Sequence, residues 1–277
     1  MKITTTILLS IFTLVSFGQQ FADKVFLYRV VDSYENDSVG FAKSAFTNFI
    51  KTKPTSIYKV IALYFLAEIA NESENIDTSI TLYKQVLQMT FPDSIDNNYK
   101  NSSAKELAEI YIDKKDFKTA LEYLELTKQE APYRHFCGNA YADDNIYMAD
   151  LYSDCYIAQG DFNKAIEILI PHMFHDGLAD NSILVKKLYS TYLKVYLKEE
   201  IKNEFINAYK TLEIKEEILE DQPYFRPLIK IFNKQVFVFV MEIEFNFLAD
   251  KMTVEQQRQR CFETIKDSEI YKLATAQ

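Results

Sequence analysis

Residues 101–134 read NSSAKELAEIYIDKKDFKTALEYLELTKQEAPYR, and their pattern is the strongest indication of a fold in this chain. Apolar residues recur at the helical period on either side of a polar break at Lys114-Lys115-Asp116. They are Ala104, Leu107, Ala108 and Tyr111 before the break, and Phe117, Ala120, Leu124 and Thr127 after it. Ala108 and Ala120 are small where two paired helices would approach most closely, since a larger side chain would push them apart. The stretch predicts a hairpin of two α-helices that closes at Pro132.

The same pattern recurs in residues 146–177. Its turn, Gly160-Asp161-Phe162, aligns with Lys115-Asp116-Phe117 without gaps. The matching core positions are Ala149, Tyr152, Ser153 and Tyr156 before the turn, and Ala165 and Leu169 after it. Pro171 arrives early, which predicts that the second helix of this unit is short or kinked.

These two units resemble the tetratricopeptide repeat (TPR) family. The family pattern is a large residue, then L-G-x2-Y, then A-x3-F and a closing Pro, over about 34 residues. Leu107-Ala108-x2-Tyr111, Ala120-x3-Leu124 and Pro132 occupy those positions, with Ala104 in place of the leading Trp. The resemblance implies an all-α fold, built as a right-handed superhelical solenoid of TPR-like helix hairpins. A non-repeating helical bundle is the alternative.

The resemblance extends over most of the chain but is weaker outside the two central units. Residues 60–93 fit the pattern, residues 24–56 fit it loosely, and residues 182–219 read as two helices in several equivalent registers. We therefore expect TPR-like repeats over residues 19–222.

A C-terminal helical pair over residues 223–277 is expected to cap the solenoid. Its first helix covers the apolar residues 236–248, although Met241, Ile243, Phe245 and Phe247 also alternate as in a strand. Its second helix begins at a capping box, Thr253-x2-Gln256.

Residues 1–18 have the layout of a secretory signal peptide. One positive charge at Lys2 precedes an apolar run, and Ser16-x-Gly18 supplies small residues before a cut at Gln19. This pattern predicts an exported protein, periplasmic or extracellular after cleavage. The alternative is a buried N-terminal helix.

The net charge of the chain limits the classes of partner that it can bind. With 31 Lys and Arg against 40 Asp and Glu, the net charge is −9. Such a balance argues against a nucleic-acid or anionic-membrane surface and favours a basic partner, although it also serves solubility alone. No apolar run is long enough to span a membrane.

The concave face is the surface that the resemblance singles out for binding a peptide or partner helix. In the family, the first helices of successive hairpins line this face. Carried over to this chain, the face holds Tyr64, Glu68, Glu72, Lys105, Glu109, Asp113, Tyr147, Asp150 and Asp154. The co-chaperone members of the family hold a C-terminal carboxylate with Lys and Asn here, whereas this chain offers mainly acids. We therefore expect a basic protein or peptide partner in an acidic groove.

Two connections between hairpins suggest an alternative, a metal- or small-ligand-binding accessory protein. Residues 135–145 form an insertion between the two central units, and residues 172–181 form the next connection. Together they carry every His of the chain, His135, His172 and His175, and imidazole is a common metal ligand. These are weak metal candidates because their spacing matches no known motif.

Catalytic signatures are missing from the sequence. It contains no G-x-S-x-G, phosphate-binding glycine loop, dinucleotide fingerprint or H-E-x-x-H. Its three Cys have no metal-type spacing. The sequence therefore predicts a non-enzymatic protein without a cofactor.

Overall fold

The structure is a computed structural model that describes residues 2–92, 95, 98–135, 137–174, 179–219, 222–240 and 252–276. Residues 2–18, 217–219 and 222–224 are described by their backbone alone. The chain divides into two compact units, Met1–Arg134 and His135–Gln277. The predicted boundary between residues 222 and 223 falls inside the second unit.

The first unit consists of successive helices that pack on their neighbours in sequence. They are α1 (Lys2–Glu35), α2 (Val39–Thr52), α3 (Lys59–Glu72), α4 (Ile76–Gln88), α5 (Asn98–Asp113) and α6 (Phe117–Gln129). Phe46, Tyr83 and Leu107 are fully buried in the core of this unit. The prediction of a mainly helical chain with paired helices is confirmed. Helix α1 includes residues 2–18 without a break. A continuous helix in the full-length chain does not test cleavage after Gly18, which stays a prediction.

The helix pair α5–α6 is the hairpin predicted from residues 101–134. Ala108 and Ala120 are both fully buried, as are Leu107 and Leu124. Asp116 caps α6, since its carboxylate accepts hydrogen bonds from the Thr119 backbone N–H (3.2 Å) and hydroxyl (2.7 Å). The predicted turn of this hairpin is confirmed, and six of its eight predicted core positions are buried, whereas Tyr111 and Phe117 are half-buried.

One turn geometry joins the helices of four successive hairpins. A residue with positive φ ends the first helix, at Asp37, Glu74, Lys115 and Gly160. The N–H of the next residue then bonds to the carbonyl five positions back, at 2.8–2.9 Å in each case. This is the Schellman arrangement, which satisfies carbonyls that the helix end leaves open. The sequence revealed this turn at Lys115 and Gly160, where Asp and Phe follow in both units, but not at Asp37 and Glu74, where the following residues differ.

The second unit combines helices with a small sheet. Its helices are α7 (Gly138–Ala158), α8 (Phe162–Leu169), α9 (Ser182–Val195), α10 (Lys198–Ala208), α11 (Val254–Asp267) and α12 (Glu269–Thr275). Its strands are β1 (Glu213–Leu219), β2 (Gln222–Ile231) and β3 (Lys234–Phe237), antiparallel in the order β1-β2-β3. Tyr192 and Phe205 of the helices share one core with Ile229, Ile231 and Val236 of the sheet.

The insertion at residues 135–145 differs from the predicted loop. Helix α7 begins at Gly138, so most of these residues extend the first helix of the hairpin. Extension of an existing helix costs little, and Ala142 is buried within it. The early end of the second helix is confirmed, since α8 stops at Leu169 and a 3-10 turn follows over Ile170–His172.

The sheet corrects two predicted helices. Residues 213–219, expected at the end of a helix pair, form β1, and β2 and β3 occupy the start of the expected C-terminal helical pair. Val236, Val238 and Val240 alternate as buried residues, which is strand periodicity over the beginning of the predicted apolar helix. The rest of that prediction, residues 241–248, lies outside the described residues.

Turn chemistry explains why β2 and β3 pair. Phe232 and Asn233 both have positive φ, at 47° and 62°, between the paired residues Ile231 and Lys234. A two-residue loop of this kind matches the natural twist of a hairpin, and Asn tolerates this conformation better than most residues.

Helix α11 begins as predicted. Thr253 accepts from the Gln256 backbone N–H (3.2 Å), and the Gln256 side chain accepts from the Thr253 N–H (2.7 Å). The capping box is therefore confirmed. In the part of the chain that the structure describes, no helix is long and apolar enough to cross a membrane.

Candidate functional site

The predicted groove residues fall in both units. Tyr64, Glu68, Glu72, Lys105, Glu109 and Asp113 belong to the first unit, and Tyr147, Asp150 and Asp154 belong to the second. Each set is therefore described within its own unit, and a groove shared by both stays a prediction.

Four carboxylates of α3 and α5 form the acidic cluster of the first unit: Glu68, Glu72, Glu106 and Glu109. The Tyr83 hydroxyl, from α4, donates a hydrogen bond to Glu68. The Tyr34 hydroxyl, from α1, donates to Glu72 at 2.6 Å. The Asn71 side-chain amide donates to Glu106 at 3.4 Å. Neighbouring helices thus hold three of these carboxylates in place with neutral donors.

Burial and repulsion by neighbouring carboxylates disfavour the ionisation of Glu106 and Glu68. Burial, together with the negative charges of Glu68 and Glu109, raises the pKa of Glu106 to about 7. Burial is also the largest cause of the raised pKa of Glu68, where the hydrogen bond from Tyr83 acts in the opposite direction. These two carboxyl groups therefore retain protons at a pH where exposed carboxyl groups have lost theirs.

Tyr64 of α3 lies among aromatic rings beside the acidic cluster. Its ring centroid is 5.2 Å from that of Tyr99 and 6.0 Å from that of Tyr83. The pKa of its hydroxyl is raised by burial first, and then by the charges of Glu68 and Glu106. Tyr64 and Glu68 therefore lie close together on α3, and their part in a partner-binding groove stays a prediction.

The α5 members of the predicted groove need one correction. Lys105 is 7% exposed and places its ammonium over the Tyr133 ring, 4.7 Å from the centroid. Glu106, which the sequence reasoning missed, is a second α5 residue, beside Glu109, that interacts with Glu68. The spacing of Ser102, Glu106 and Glu109 follows one helical face, and this signal could have identified Glu106. Asp113 is exposed at the end of α5.

In the second unit, Lys187 pairs with Asp150 and Asp154, two acids that were predicted to line the groove. Lys187 of α9 forms an ion pair with Asp150 and lies 2.6 Å from Asp154, both on α7. The Lys187 side chain is only 16% exposed. These two aspartates therefore stabilise the packing of α7 on α9, and they offer less negative charge to a partner than the sequence indicated.

The two connections proposed for metal binding are described in part. The His135 ring lies 4.9 Å from the Tyr141 ring, and the His172 carbonyl accepts a 2.7 Å hydrogen bond from Asn181. His175 lies outside the described residues. Among the residues that are described, no group of three or more His, Cys, Asp or Glu is arranged to hold a metal ion.

A cavity of about 380 Å3 opens in the second unit. Its walls come from the segment before α9, from α9 itself, and from the junction of α11 and α12. The lining residues are Met173, Phe174, Asn181, Val185, Arg260, Glu263, Thr264, Asp267, Ser268 and Glu269. The cavity therefore combines an apolar side with a charged rim.

The buried cysteines lack the features of nucleophiles. Burial raises the pKa of the Cys155 thiol to about 11 and that of Cys261 to about 12. A thiol is nucleophilic as its thiolate, which these values disfavour at neutral pH.

Comparison with known proteins supplies no relative from which a role could be carried over. No family model, no curated protein and no solved structure matches this chain. A function for the chain has to be argued from the residues and contacts described above.

Proposed function

We propose that this chain is an exported, non-enzymatic scaffold, similar to TPR proteins, that binds a basic peptide or helix. The acidic cluster of Glu68, Glu72, Glu106 and Glu109 carries the proposal. Tyrosine and amide groups hold three of these carboxylates, and like charges in close proximity destabilise the empty protein. A cation from a partner offsets that repulsion, which gives the cluster a physical reason to bind one.

The first unit is the centre of the proposed interface. Lys187 already pairs with Asp150 and Asp154 in the second unit. In the first unit, Glu68 and Glu106 are partly buried, and the charges of neighbouring carboxylates raise their pKa values beyond the effect of burial. Tyr64 adds an aromatic surface beside the carboxylates, and ammonium groups bind favourably over such rings. A lysine-bearing segment fits both features.

The test is capture of the partner by variants of the acidic cluster. Immobilised wild-type protein and the double variant Glu72→Lys/Glu109→Lys are each exposed to the exported fraction of the native source. Glu122→Lys, on the exposed side of α6, is the control for a change of net charge. We expect a basic protein that the wild type and the control retain, that the double variant loses, and that rising salt releases.

Equal recovery by the double variant and the wild type would contradict the assignment of the interface. A separate measurement tests export. The intact mass of the native protein should correspond to a chain that begins at Gln19, and a mass that includes residues 1–18 would refute cleavage.

A further inference from the structure

The cavity of the second unit has an apolar side formed by three buried residues. Met173, Phe174 and Val185 are 1%, 5% and 2% exposed. At about 380 Å3, the space is near the lower end of the range of about 300–1,000 Å3 found for small-molecule sites. It suits the apolar part of a small ligand rather than an ion alone.

Most hydrogen-bond donors around the cavity are already engaged. The Thr264 hydroxyl donates to the Arg260 carbonyl at 3.1 Å, and the Ser268 hydroxyl donates to the Ile265 carbonyl at 2.6 Å. The Asn181 amide donates to the His172 carbonyl at 2.7 Å. A ligand that needs donors from the protein therefore finds few here.

Among the residues that line the cavity, the carboxylates of Glu263, Asp267 and Glu269 outnumber the one cation, Arg260. Arg260 pairs with Glu263 at 3.6 Å, and Lys186, outside the lining, pairs with Glu269 at 3.6 Å. The Lys272 ammonium donates to the backbone carbonyl of Asp267, whereas within the described residues no hydrogen bond or ion pair engages the Asp267 side chain. Asp267 is also the last residue of α11, where the helix dipole adds negative potential. The rim therefore offers an acceptor for a positively charged group.

We infer that this cavity binds a primary ammonium group carried on a short apolar body. The apolar body lies against Met173, Phe174 and Val185, and the ammonium group donates to the Asp267 carboxylate. The site shares no residue with the acidic cluster of the first unit, so its test is independent of the proposed scaffold function.

The experiment compares two probes that share one apolar body. Backbone amide signals of the full chain are followed by NMR during titration with 2-phenylethylammonium and with neutral 2-phenylethanol. We expect saturable shifts at Val185 and Asp267, and an affinity about tenfold higher for the ammonium probe, because hydrogen bonds to a charged group are the stronger ones.

Two variants and one control separate the parts of the site. Asp267→Asn should remove most of the tenfold preference, while Val185→Phe should fill the apolar side and weaken both probes. Glu255→Gln, an exposed change on the same helix, should leave both affinities unchanged.

The inference is overturned if the ammonium probe does not saturate, if both probes bind equally, or if Asp267→Asn keeps the preference. Nα-acetyl-lysine amide, measured in the same way, distinguishes two sources of the ammonium group. If this probe binds more tightly than 2-phenylethylammonium, the cavity is assigned to a lysine of a partner. If it binds more weakly, the cavity is assigned to a free amine.

Discussion

Replacement of Glu106 by Gln should stabilise the protein at alkaline pH and have little effect at acidic pH. The Glu106 carboxyl has a pKa of about 7 in the folded chain, against its usual value of 4.5. Between these two values the folded chain binds more protons than the unfolded chain, so stability falls as pH rises. The favourable contribution of the protonated carboxyl is complete below pH 4.5 and is lost as pH rises through 7. Gln carries no charge at any pH and avoids this loss.

The magnitude follows from the two pKa values. At about 1.4 kcal/mol per pKa unit, the difference amounts to about 3 kcal/mol above pH 8. Solvent screens a side chain that is only partly buried, so we expect a gain in unfolding free energy of about 1–2 kcal/mol for Glu106→Gln. The Gln side-chain oxygen can still accept the hydrogen bond that Asn71 donates to Glu106, which limits other effects of the change.

The assay is urea unfolding followed by circular dichroism at pH 5 and pH 8. Glu122→Gln removes an exposed acid from α6 and serves as the matched control, with no expected difference between the two pH values. A gain for Glu106→Gln that is the same at both pH values would refute the raised pKa of Glu106 in the folded chain.

Three further predictions concern packing and turns. Ala120→Leu should overpack the α5–α6 hairpin and cost about 1–3 kcal/mol in urea unfolding, and an unchanged midpoint would contradict the close approach of the two helices there. Lys187→Met leaves Asp150 without its partner and should lower the free energy of unfolding by about 1–3 kcal/mol. If repulsion between Asp150 and Asp154 is the cause, this loss should be smaller in thermal melts at high salt. Gly160→Ala should cost about 1 kcal/mol because φ is +77°, although a Cβ would meet no atom within 4 Å. Gly40→Ala, equally uncrowded but inside α2, should instead stabilise by about 0.5–1 kcal/mol, and equal effects of the two changes would exclude the backbone explanation.

The site shows where reasoning from the sequence succeeds and where it stops. Tyr64, Glu68 and Glu109 could be placed together because their spacing within α3 and α5 determines the helical face on which they lie. Glu106 was missed because the family pattern, carried over to α5, selected Lys105, which lies one position before Glu106. Lys187 was missed because its partners lie 33 and 37 residues earlier in the chain, and no local pattern reports such a pairing.

The sheet of the second unit illustrates a different limit. Residues 213–219, EIKEEIL, are rich in residues that favour helices, yet they pair with β2 from Glu213 opposite Leu228 to Leu219 opposite Gln222. Helix propensity amounts to less than about 1 kcal/mol per residue, so strand pairing and burial of Ile229 and Ile231 can override it. The strand-like alternation visible in the sequence lay at Met241, Ile243, Phe245 and Phe247, outside the described residues, and it was outweighed by helical neighbours. Residues 236–241, VFVFVM, are apolar throughout, so the alternate burial of Val236, Val238 and Val240 became visible only in the structure.

The helix pairs, two of their turns and the Thr253 cap could be read from the order of residues, because these features depend on residues three to five positions apart. The break at Asp116 and the small residues Ala108 and Ala120 were found on that basis. The raised pKa values of Glu68 and Glu106, the pairing of Asp150 with Lys187 and the formation of the sheet emerged only in the folded chain. Each of these depends on burial and on contacts between residues far apart in sequence, which the order of residues along one helix does not encode.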